Sequence, residues 1–143
     1  MTHDDELRAW AKGSYTLEAA TELLLRAFGG RYARTGQPWV RQDGDQSLWI
    51  DFAAIPEYLD GLSGGERRFL LLAASLAEDV PVALGDVIPG LDRGNLDLVL
   101  AAIAHAGGSH QHSDIRTNDD GSMVLKPGYL DSLHPWPRML HAV

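Results

Sequence analysis

Apolar residues recur at helical spacing through "TLEAATELLLRAFGG", where Leu17, Ala20, Leu24, Ala27 and Phe28 fall on one face. Glu18 sits in the expected first turn and Gly29-Gly30 offers a C-terminal stop. Upstream, "LRAWAKGS" predicts a shorter helix ending near Gly13. Two later segments, Gly64 to Glu78 and Asp92 to Gly107-Gly108, are apolar nearly all round, the pattern of helices covered on most sides. In the second, Leu96, Val99, Leu100 and Ile103 form the most continuous stripe, and Asp92 is the expected cap.

Elsewhere the period shortens. "PWVRQDGDQSLWIDF" predicts two short strands, Trp39 to Gln42 and Leu48 to Phe52, joined through an Asp-Gly turn, with Pro38 marking the first as an edge or strand start. "HSDIRTNDDGSMVLKPG" suits a small hairpin turning at Asp120-Gly121. Between the two apolar helices there is room for a brief strand at Val82 to Leu84, kept short by Pro81 and Pro89. One helical turn is expected before Pro135, and the prolines flanking Trp136 predict an extended segment that anchors through its indole. With no repeat or linker visible, the expectation is a helix-rich α+β fold: a single globular domain over 1–143, two central apolar helices and small antiparallel β-hairpins.

Charge narrows the partners. Lys and Arg number 12 against 20 Asp and Glu, a net charge of -8, and the basic residues form no stripe. Nucleic acid and anionic membrane surfaces are therefore poor partners. Cys is absent, which excludes disulfides, thiolate metal sites and thiol nucleophiles. "MTHDDELRAW" is acidic where a secretory signal is basic and then apolar, so a cytoplasmic location is expected.

The stretch Leu62-Ser63-Gly64-Gly65-Glu66 is followed, after a helix length, by "VPVALGD" ending at Asp86 and by Gly90-Leu91-Asp92. In this order, residues 62–92 resemble the signature loop, Walker B strand and D-loop of ATP-binding cassette ATPases. The resemblance implies a degenerate nucleotide-binding fragment, with a strand leading to Asp86. The chain departs from that family in having no G-x-x-x-x-G-K-[ST] phosphate loop and in placing Val87 where the family has its catalytic glutamate. Read from its residues alone, the stretch is a helix start: the Ser63 hydroxyl caps the first amides, and Glu66 reaches back to the Ser63 backbone in a capping box.

Two other constellations carry chemistry. His110 and His112 with Asp114 would share one face of an extended segment, a set suited to a divalent metal. Trp39, Trp49 and Trp136 are candidates for an interaction surface, with Trp39 and Trp49 pairing across facing strands. No G-x-S-x-G elbow or other complete catalytic set is present, so no catalytic or cofactor-binding residues are assigned. The first expectation is thus a non-catalytic domain acting through a protein partner or self-association. Metal binding at the histidine cluster and the nucleotide-binding fragment are the alternatives.

Overall fold

The computed structural model describes residues 1–44, 47–113, 115–125 and 128–138. Among the described residues the α-helices are α1 (His3–Ala11), α2 (Tyr15–Arg26), α3 (Gly64–Ala77), α4 (Leu84–Val87) and α5 (Arg93–Ala106). Two antiparallel hairpins complete a helix-rich α+β architecture: β1 (Val40–Asp43) with β2 (Ser47–Ile50), and β3 (Ile115–Thr117) with β4 (Met123–Leu125). No helix among the described residues is long and apolar enough to cross a membrane.

Side-chain caps start the four long helices. Thr2 and Asp5 form a full capping box on α1, Ser14 accepts from the Leu17 amide on α2, and Asp92 accepts from the Asn95 amide at 2.7 Å on α5. Each satisfies an amide that has no partner within its helix. On α3, Ser63 Oγ accepts from the Glu66 amide at 3.2 Å. The second half of that box differs from expectation, because the Glu66 carboxylate accepts from the Ser63 hydroxyl, at 2.7 Å, rather than from the Ser63 backbone amide.

The C-terminal stop of α2 is more elaborate than a pair of glycines. Phe28, Gly29 and Gly30 all lie at left-handed φ, 53°, 67° and 76°, within the 3-10 turns of Ala27–Ala33. Gly30 is required there, since a Cβ would sit 3.0 Å from the Leu25 carbonyl oxygen. Phe28 is held in a conformation that L side chains disfavour by edge contacts to Tyr32 and Phe69, with centroids 5.5 and 5.4 Å away.

α2 is the hub, packing against α1, α3 and α5, and its Ala19, Ala20, Leu23 and Leu24 lie in the buried core with Phe52, Phe69, Leu70 and Val99. α5 presents Val99, Ala101 and Ala102 inward, while Leu100 and Ile103 remain 44% and 54% exposed. Of the stripe expected from its sequence, Val99 is buried and Leu96 half-buried, whereas Leu100 and Ile103 face outward. On a helix apolar all round, periodicity does not select a face; small residues such as Ala102 admit close helix approach, and that favours the alanine side.

Further expectations are corrected. Val82 to Leu84 form no strand; Leu84 opens α4, so Asp86 lies in a short helix and not at a strand end. No helical turn precedes Pro135 either. The second strand, expected to run to Phe52, ends at Ile50, and Phe52 instead opens a 3-10 segment, Phe52–Tyr58, that the sequence pattern does not predict.

Candidate functional site

Between α1, α2 and α5 the chain leaves a hollow of about 310 Å³, walled by His105 and Trp136. Helical spacing places Glu18, Thr21 and Glu22 along one side of α2, and Arg8 and Lys12 reach the same space from α1. Glu22 is held by two guanidiniums: Arg8 Nε donates to Oε1 at 2.6 Å and Arg26 Nε donates to Oε2 at 2.7 Å. Burial pushes the Glu22 carboxyl up, but the hydrogen bonds from Arg8 and Arg26, with their charges, outweigh it and hold the group below its ordinary 4.5.

Glu18 is engaged in the same way. Its Oε2 accepts from the Gly13 amide at 2.9 Å, and Oε1 lies 2.8 Å from His105 Nε2. Burial again acts upward, and the Gly13 amide together with His105 brings the carboxyl below its ordinary value. An ionised carboxylate only accepts, so His105 carries its proton on Nε2. Thr21 lines the hollow, is 1% exposed, and its Oγ1 has no hydrogen-bond partner among the described residues.

The segment 128–138 closes over this region. Arg26 donates to the Pro137 carbonyl at 2.9 Å and lies over the Trp136 ring, 5.1 Å from its centroid. Buried Ser109 accepts from the Leu133 amide at 3.2 Å, and His134 Nε2 lies 2.5 Å from Asp97 Oδ1. Trp136 thus anchors the chain end to the body, the packing its sequence setting predicts.

The candidate metal ligands fall differently from the expected alternation. His110 lies in a 3-10 turn, Ser109–Gln111, and not on an extended segment, because Gly108 adopts φ 72° and turns the chain at once. Its ring stacks on His105, centroids 4.3 Å apart and planes 10° apart, and meets the edge of Tyr15 at 5.0 Å. A Cβ on Gly108 would stand 3.2 Å from Tyr15, so this glycine makes room for the cluster. The buried Nδ1 of His110 has no hydrogen-bond partner among the described residues. His112 is exposed, and Asp114 lies outside the described residues. Among the described residues no group of three His, Cys, Asp or Glu is placed to hold a metal ion.

The tryptophans also separate. Trp39 is buried and donates its indole N–H to the Tyr32 carbonyl at 2.7 Å, which removes it from any partner surface. The hairpin register sets Trp49 opposite Arg41, not opposite Trp39. Trp49 and Trp136 are each half-buried.

The open apolar surface lies elsewhere. Met123, Val124 and Leu125 of β4 are 68%, 46% and 64% exposed, and Leu133, Leu100 and Ile103 add further exposed apolar side chains. β4 pairs only with β3 among the described residues, leaving its outer edge without a strand. No protein-family model, curated protein or solved structure matches the chain.

Proposed function

We propose that the chain acts by association rather than catalysis, and that β4 is where a second copy joins it. The observation behind this reading is a two-stranded hairpin whose Met123–Leu125 strand is exposed throughout, its outer edge unpaired among the described residues. An isolated two-stranded hairpin is marginal in water, whereas three or more strands with an apolar face are stable. Antiparallel pairing of β4 with β4 of another copy is self-complementary about a twofold axis and yields a four-stranded sheet. The three residues are uncharged, so on a molecule carrying -8 this is an edge where two copies approach with little local repulsion.

Light scattering coupled to size exclusion tests the reading. The wild-type chain is expected at twice its 15.6 kDa mass and Val124→Glu at that mass, with unchanged helical circular dichroism. A wild-type monomer at high micromolar concentration would reject it.

A second reading, a divalent metal bound at His110, His112 and Asp114, draws on the partnerless buried Nδ1 of His110. Elemental analysis of untagged protein is expected to find near-stoichiometric metal, lost in His110→Ala. Metal far below stoichiometry rejects it.

A further inference from the structure

The hollow between α1 and α2 concentrates positive charge in an acidic protein. Three of the 12 basic residues, Arg8, Lys12 and Arg26, line it against two carboxylates, Glu18 and Glu22. Both carboxylates are already engaged, Glu22 by the two guanidiniums and Glu18 by His105 and the Gly13 amide. Two polar groups are left over. The exposed Lys12 ammonium has no hydrogen bond or ion pair among the described residues, its backbone amide alone donating, to the Arg8 carbonyl, and the buried Thr21 hydroxyl has no partner there either. A buried hydroxyl without a partner is costly, and such groups mark places where a ligand or an ordered water completes the hydrogen bonding. The remaining lining is apolar or aromatic, Ala11 and Trp136.

We infer that this hollow binds a small organic carboxylate, its anionic end on Lys12 with the Nη1 group of Arg8, since Nη2 is already on Glu22, its flat apolar body beside Trp136, and a polar substituent on Thr21. The volume, about 310 Å³, is at the small end of ligand pockets, which suits a compact single-ring acid better than a nucleotide. A charge-assisted contact from Lys12 gives affinity for the carboxylate, and the Thr21 hydroxyl gives discrimination, because a site that has lost or gained one buried polar partner separates closely related ligands. This site is independent of the β4 edge, and neither proposal requires the other.

Calorimetric titration and thermal melting of the full chain with benzoate, salicylate, benzamide and inorganic phosphate test it. Benzoate and salicylate are expected to bind and raise the melting temperature, salicylate more strongly because its ortho hydroxyl meets Thr21. Benzamide, which lacks the charge, is expected to bind at least tenfold more weakly. Lys12→Met should weaken both acids tenfold or more. Thr21→Val should erase the preference for salicylate while raising the melting temperature of the unliganded protein, since it removes the partnerless hydroxyl without changing the shape. That combination, a more stable protein that discriminates less, is not what a purely structural threonine would show. No binding by either acid at millimolar concentration, equal binding of phosphate, or unchanged affinity in Lys12→Met would each overturn the proposal.

Discussion

Glu18 Oε1 and His105 Nε2 lie 2.8 Å apart, and this contact ties the first turn of α2 to the last turn of α5. Glu18 has a folded value below its ordinary 4.5, as does Glu22. A carboxylate with a depressed folded value contributes stability that is complete above its unfolded value and is lost as pH falls through the folded one. Urea midpoints should therefore be steady near neutrality and fall as pH drops below about 4.5, the ordinary carboxylate value. The double variant Glu18→Gln, Glu22→Gln should be less stable at neutral pH and show a flatter acid limb. Parallel wild-type and variant curves would mean that these carboxylates titrate alike in the folded and unfolded chains.

The two arginines on Glu22 should not contribute equally. The Arg8 side chain is 41% exposed and among the described residues bonds only Glu22, so Arg8→Met is expected to cost under about 1 kcal/mol. Arg26 is 18% exposed, donates also to the Pro137 carbonyl and covers Trp136. Arg26→Met should cost about 2 kcal/mol and speed proteolysis near Trp136 and Pro137, because it loses two of the contacts that hold residues 128–138 down. Equal urea midpoints for the two variants would contradict this ordering.

How far these features were legible follows from the range of the signals. Ser63, Asp92 and the Asp-Gly turns act over two to four residues, and the caps and both hairpins stand where the sequence predicts them. The face that α5 buries depends on α2, so the stripe of Leu96, Val99, Leu100 and Ile103 meets the core at Val99 while Leu100 and Ile103 face outward. His110 was visible as chemistry, but its partner is His105, brought round by a left-handed Gly108 that the Gly-Gly pair only hinted at. Of the two guanidiniums on Glu22, Arg26 stands at i+4 on the same helix, a spacing the sequence shows; Arg8 is fourteen residues from Glu22 and belongs to another helix. Thr21 carried no signal, since a threonine among alanines and leucines announces neither burial nor a missing partner.

Gly30 should be among the least replaceable glycines. Gly29 and Gly30 share a left-handed backbone, but nothing lies within 4 Å of a Cβ on Gly29, whereas one on Gly30 meets the Leu25 carbonyl oxygen at 3.0 Å. Gly29→Ala is expected to cost about 1 kcal/mol from backbone strain alone. Gly30→Ala adds a contact that requires the Leu25 carbonyl in the last turns of α2 to shift, and should cost about 2 kcal/mol or more. Denaturant melts that rank the two substitutions the other way would show that the α2 terminus relaxes around Gly30.

Ser63 both accepts from the Glu66 amide and donates to the Glu66 carboxylate, which in turn meets Arg31 at 3.2 Å. Ser63→Ala removes both bonds and should cost about 1 kcal/mol. The more telling replacement is Ser63→Asp. Aspartate is as good a cap as serine for the amide, but it has no proton to give and would set its charge against Glu66 where the hydroxyl now donates. Asparagine accepts from the amide and still offers an N–H. The expected order of urea midpoints is therefore Ser63 and Ser63→Asn together, then Ser63→Asp, then Ser63→Ala. If Ser63→Asp matched the wild type, the amide bond alone would account for the cap and the hydroxyl-to-carboxylate contact would contribute nothing to α3.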